Sequence, residues 1–245
     1  MTYFVGEYSE NKFIPERQGL VDFGDRYYAP QVMVDESGRR LMFGWIQEGR
    51  STEAHLEVGW AGVQAIPREL SLAPDGGMAS VPIPETTSLR GKSYHWEDIQ
   101  LEAGKEMPLL MKGNGLEIQV EFVPGEEVWG LKVLSAPGGR EETTIAYDGA
   151  RQVLMLDLRH SSLDTRSRLT LHEAPTPLRA GEVLRLQVFI DHSVVEVIAN
   201  NRYSLTGRVY PTRGDTQEVK IFSSSGSVKV KGITVWEMGN FWLCE

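Results

Sequence analysis

Leu116-Glu117-Ile118-Gln119-Val120-Glu121-Phe122 alternates apolar and polar residues one by one. Successive side chains of an extended chain point to opposite faces. This run therefore puts Leu116, Ile118, Val120 and Phe122 on one side and Glu117, Gln119 and Glu121 on the other. That is the pattern of a half-buried antiparallel strand. Leu154, Leu156 and Leu158 repeat the period, and so do Leu184, Leu186, Val188 and Ile190. Turn formers fall between such runs: Pro124-Gly125, Pro137-Gly138-Gly139, Asp148-Gly149 and Ser225-Gly226. Short, regularly spaced strands with these turns predict an all-β protein, a sandwich, barrel or propeller. No long amphipathic helix is apparent. A short helix is predicted around Glu85 to Arg90, after Pro82 and Pro84.

Composition narrows the function classes. The chain has 245 residues, enough for one large or two ordinary domains, and is 41% hydrophobic and 24% charged. A formal charge of −9 disfavours nucleic acid and anionic membrane as partners. One cysteine, Cys244, can form neither an internal disulfide nor a cysteine zinc site. The five histidines, His55, His95, His160, His172 and His192, lack metal-ligand spacing. No serine elbow, phosphate loop or dinucleotide fingerprint is present, so no cofactor is expected. No apolar run reaches the roughly 18 residues of a membrane span. Met1 leads straight into Tyr3-Phe4-Val5, which reads as a strand and not as a secretory signal; the expectation is a cytoplasmic product.

Three segments near the start stand out. They are Asp22-Phe23-Gly24-Asp25-Arg26-Tyr27-Tyr28-Ala29-Pro30-Gln31, then Arg39-Arg40-Leu41-Met42-Phe43-Gly44-Trp45, then Gly59-Trp60-Ala61-Gly62 running on to Pro67-Arg68-Glu69-Leu70-Ser71-Leu72. A fourth, Val188-Phe189-Ile190-Asp191-His192-Ser193-Val194-Val195-Glu196-Val197, lies far downstream. In order, spacing and content these resemble glycoside hydrolase family 32, the β-fructofuranosidases (invertases, levanases, inulinases). The first three match its later propeller blades and the fourth a strand pair of its C-terminal β-sandwich. The resemblance implies a partial propeller of the five-bladed type over 1–85, a linker at 86–97 and a β-sandwich over 98–245. A blade is a four-stranded sheet of roughly 40–50 residues, so 1–85 holds at most about two. Phe4, Val32, Val34, Leu41, Phe43, Trp45 and Ile46 would then lack neighbouring blades to cover them. A homo-oligomer or a complementing N-terminal chain is the expected remedy.

The resemblance also implies a substrate class, fructosides such as sucrose or fructans, and a retaining mechanism through two carboxyl groups. The family's Asn-Asp-Pro-Asn-Gly, Arg-Asp-Pro and Glu-Cys motifs precede the Asp-Phe-Gly segment, and none is in this sequence. No catalytic residue is therefore assigned, and the chain alone is expected to be inactive. By the resemblance Asp22, Tyr28 and Trp45 line the fructose pocket. From the residues alone, Asp22 and Asp25 read as turn aspartates bonding nearby amides, and Glu48 as a solvated glutamate. Trp60 reads as a packing residue between glycines that allow close backbone approach, and Arg68-Glu69 as an internal ion pair. Asp191 and Glu196 read as structural residues flanking a hairpin at Asp191-His192-Ser193. Two other readings stay open: a non-catalytic glycan-binding module and a truncated relic.

Overall fold

The structure, a computed structural model, describes residues 1–240. Cys244 lies outside the described residues. The protein is all-β, with every strand pairing antiparallel. Residues 1–82 hold β1 (Thr2–Ser9), β2 (Lys12–Leu20), β3 (Tyr27–Val34), β4 (Arg40–Ile46), a helix α1 (Thr52–Val58), β5 (Val63–Gln64), β6 (Arg68–Leu72) and β7 (Met78–Pro82). β1 and β2 form a separate two-stranded sheet. A second sheet runs β3-β4-β6-β7, with β5 also pairing with β4.

A 3-10 turn over Pro84–Leu89 leads to β8 (Arg90–Leu101), β9 (Glu106–Lys112), β10 (Gly115–Phe122), β11 (Val128–Ser135), β12 (Thr143–Asp148) and β13 (Val153–Asp157). Then come β14 (Leu171–Pro175), β15 (Leu184–Asp191), β16 (Val194–Ala199), β17 (Tyr203–Arg208), β18 (Glu218–Ser223) and β19 (Val228–Met238). These build two six-stranded sheets, β17-β16-β15-β10-β19-β8 and β14-β13-β12-β11-β18-β9. One continuous core lies between them. β10 turns Leu116, Ile118, Val120 and Phe122 inward, as its alternation requires, against Leu131 and Ile145 of the other sheet. Trp129 sits at the centre, 4.0 Å from the Phe122 ring and 5.4 Å from that of Tyr147.

The expected short helix near Glu85 is present as a six-residue 3-10 helix, Pro84–Leu89. Two other points of the sequence reading need correcting. From Arg90 onward the expected linker at 86–97 is strand instead: β8 pairs along β19, with Glu97 opposite Gly232 and Ser93 opposite Trp236. The sequence reading also passed over α1. Its bounds are chemical: the Ser51 hydroxyl accepts from the Ala54 N–H, and Gly59 closes the helix at φ 79°.

The apolar set of the first region divides. Leu41 and Ile46 are buried, whereas Phe4, Val32, Val34 and Trp45 are exposed. Val21, Tyr27, Met42, Ile46 and Ala65 make a second, small core, completed by Val194 from β16.

Candidate functional site

Tyr28 and Trp45 face each other across the β3–β4 ladder. Their ring centroids are 6.2 Å apart at 67°, an edge-to-face pair. Both rings are about half exposed, 49% and 46%. Alternation explains why: their chain neighbours Tyr27 and Ile46 point into the small core, so Tyr28 and Trp45 point out. Two backbone features hold this ledge. Ala29 adopts φ 44° where the register breaks between Tyr28 and Gln31, a bulge that re-aims the end of β3. Gly62, at φ 70°, lies so close to the Trp45 indole that no side chain fits there.

Asp22 lies elsewhere, buried beside Tyr27's side of the sheet. Its Oδ1 accepts from the N–H groups of Gly24 (2.8 Å) and Thr206 (2.9 Å). Its Oδ2 accepts from the Thr206 hydroxyl at 2.7 Å and from Arg68 at 3.2 Å. The turn bond to Gly24 is the one read from sequence; the other partners are distant in the chain. Arg68 is fully buried. It donates at 2.7 Å to Glu196 and at 3.0 Å to the Thr206 hydroxyl, and its guanidinium stacks 4.6 Å from the Tyr27 ring. Glu69 is not its partner, contrary to expectation. Burial opposes the Arg68 charge, but Glu196 and Asp22 outweigh it and hold the guanidinium more firmly protonated than usual. One cation serves two carboxylates, and burial pushes Glu196 above the ordinary carboxylate range even though Arg68 pulls the other way. The hairpin at His192-Ser193 joins β15 to β16 as predicted, and Asp191 is exposed on it. Glu196, in contrast, is the buried anchor of Arg68.

A second cluster sits on the same seam. Glu48 is largely buried and not solvated. Arg50 grips it with two bonds (3.0 and 2.9 Å), the Gly49 and Arg50 N–H groups donate at 2.9 Å, and the Tyr210 hydroxyl donates as well. Burial acts to raise the Glu48 pKa, yet these donors hold it well below the usual range. Tyr210 is pushed up to about 12, by burial and then by its bond to Glu48. The Arg50 guanidinium lies 4.7 Å from the Trp60 ring and 4.6 Å from Tyr210. Trp60 is therefore a half-exposed stacking partner of a cation, and not an enclosed packing residue. Asp25 pairs with Arg168 and lies 3.4 Å from His172.

Structure thus joins Tyr28 with Trp45 and sets Asp22 apart, with Arg68 and Glu196. Neither Arg68 nor Tyr210 was singled out from sequence as a partner of these acids. Among the described residues, no group of three or more His, Cys, Asp or Glu could hold a metal ion. No helix among them is long and apolar enough to cross a membrane.

Comparison with known proteins places these features in a family. The model for the glycosyl hydrolases family 32 N-terminal domain matches residues 1–82, and that for the glycosyl hydrolases family 32 C terminal matches 85–237. A levanase of Bacillus subtilis (strain 168) is 29% identical over 99% of this chain and 38% of its own length. A sucrose-6-phosphate hydrolase of Escherichia coli is 29% identical over 89% of this chain and 44% of its own. Among solved structures, fructan 1-exohydrolase IIa from Cichorium intybus superposes with a TM-score of 0.90 at 20% identity, covering 97% of this chain and 54% of that one. The chain spans less than half the length of these curated relatives. With family models matching nearly end to end, the chain belongs to glycosyl hydrolase family 32.

Proposed function

We propose that this chain is the C-terminal portion of a retaining β-D-fructofuranoside hydrolase. In this reading residues 1–85 are part of a propeller, and the two six-stranded sheets from Arg90 on are the sandwich that buttresses it. The matched relatives support the substrate class. One is named a levanase, and a solved relative is a fructan exohydrolase in complex with 1-kestose. Retaining hydrolysis uses two carboxyl groups about 5–5.5 Å apart, one as nucleophile and one as acid/base. Those groups come from polypeptide outside this sequence.

The observation that carries the reading is the Tyr28–Trp45 ledge, two rings open to solvent at a sheet edge. Sugars present C–H faces that pack on such rings. Asp22, set apart from the ledge, is a structural residue in this reading, since its oxygens already hold Arg68, Thr206 and Gly24. The exposed Phe4, Phe13, Ile14, Val32 and Val34 need cover, which a complementing chain or a second copy would give. Light scattering should therefore show the full chain self-associating at micromolar concentration; a monomer would remove this part of the proposal.

The test of function is reconstitution. The chain alone should release no fructose from sucrose, inulin or levan. Mixed with a polypeptide carrying Asn-Asp-Pro-Asn-Gly, Arg-Asp-Pro and Glu-Cys, it should show saturable release, weakened by Trp45→Ala. An inactive mixture of folded components would refute the assignment.

A further inference from the structure

The register of the sheet β17-β16-β15-β10-β19-β8 lines up His95, Thr234, Gln119, Gln187 and Ile198 in one row on its outer face. The next row holds Gly232, Glu121 and Arg185. Gly232 has no side chain, so the floor dips there. A trough of about 360 Å³ opens over the two rows, with Asn201 at one end.

Its lining is tied down from below. Buried Glu117 takes two bonds from Arg90, at 2.7 and 2.6 Å. The same carboxylate accepts from Gln119 at 3.0 Å and from Gln187 at 2.8 Å. Each amide nitrogen gives one N–H to Glu117, which fixes the amide and leaves its second N–H and its carbonyl oxygen for whatever lies in the trough. Thr234 and His95 are linked at 2.8 Å, and Arg185 donates to Glu121 at 2.6 Å. Each formal charge here thus faces its counter-charge within the protein. What is left is neutral: two fixed amides and the Thr234 hydroxyl, with the His95 ring at the lip held at both nitrogens, by Thr234 and by Glu97. An anion would find its arginines already paired, and a purely hydrophobic ligand would cover the fixed amides beside the apolar strip that Ile198 and its neighbours Val120 and Leu186 give the floor. A polyhydroxylated neutral ligand matches both properties, and pockets of this size suit small molecules.

We infer that this trough binds a neutral fructo-oligosaccharide. The polyol class follows from the lining; the fructosyl identity rests on the function proposed above. The trough lies on a different sheet from Tyr28 and Trp45, so a polymer could be held at two places on one chain. A second tethered contact raises avidity through effective concentration.

Titration of the full chain with 1-kestose, followed by calorimetry and by the side-chain amide NMR signals of Gln119 and Gln187, tests this. Saturable binding that shifts both amide signals is expected. Gln119→Ala/Gln187→Ala should bind about tenfold more weakly, for two lost hydrogen bonds, with a somewhat lower thermal midpoint because buried Glu117 loses two donors. Trp45→Ala should retain the trough shifts. Unmoved amide signals in the wild-type chain at millimolar 1-kestose would overturn the site, and that readout stands even if the double variant misfolds. Equal affinity in a folded double variant would overturn it too. Maltotriose binding as tight as 1-kestose would overturn the fructoside assignment. The titration uses the chain alone and the hydrolase assay uses the mixture, so either can fail without the other.

Discussion

The two ends of this chain reach order by different means. From Arg90 on, two six-stranded sheets enclose one core in which Leu116, Ile118, Trp129, Leu131, Ile145 and Leu154 are fully buried. Before it, a core of five side chains is completed by Val194, borrowed from the other region. Polar chemistry replaces apolar area there: Arg68 reaches Glu196 and Thr206, and Glu48 reaches Tyr210. The first region is therefore held in place more than it is self-supporting. In the proposed function that suits a surface presenting Tyr28 and Trp45 at a fixed position.

The most drastic way to break this comparison is to separate the regions. A fragment of residues 90–245 should unfold cooperatively in urea, whereas 1–89 should show no cooperative transition. A sharp transition in the 1–89 fragment would mean that its small core suffices.

Next in size is the seam itself. Arg68→Met leaves Asp22 and Glu196 buried without their cation and should cost about 3–5 kcal/mol. A loss below about 1 kcal/mol in denaturant titrations would move the burden to other contacts.

Glu48→Gln should cost less, about 1–3 kcal/mol, because a polar side chain still fills the site. It also carries a pH signature. Glu48's folded pKa is depressed, so its contribution is full above its ordinary value of 4.5 and is lost as pH falls through the folded value. The variant should therefore show a flatter loss of stability on acidification below pH 4.5. Glu196 works with the opposite sign. Its folded pKa is raised, so its contribution is present below 4.5 and is lost as pH rises through the folded value. Acid titration of Glu196→Gln should accordingly steepen the acid limb. An identical limb in both variants would contradict these assignments.

The smallest effect on stability belongs to the ledge. Trp45→Ala removes a half-exposed ring and should change unfolding free energy by no more than about 1 kcal/mol while weakening fructoside turnover in the reconstituted mixture. A large stability loss would recast Trp45 as a core residue.

Sequence foretold the architecture where information was local. Alternation in Leu116–Phe122 and the hairpin at His192-Ser193 are properties of neighbours in the chain, and the structure realises both. The ends of α1 were also local, in Ser51 and Gly59, and were overlooked because only seven residues lie between them. The seam was not local. Arg68 and Glu196 are 128 positions apart, and no spacing rule joins them. A clue did exist: Arg68 shares its strand face with Leu70, and Glu196 shares its own with Val194 and Ile198. A charge on an inward face demands a partner. Two such orphans of opposite sign could have been matched. Glu48 gave no comparable sign, since its donors come from a turn and from Tyr210.

That separation has a consequence for synthesis. Arg68 leaves the ribosome well before Glu196, its anchor 128 residues later. At about 5–20 residues per second the wait is roughly 6–25 s. During it Arg68 has neither Glu196 nor Thr206 to take its bonds. The order in which this protein is made opposes the order in which it can settle. The Arg68 seam therefore closes only after Glu196 has been made.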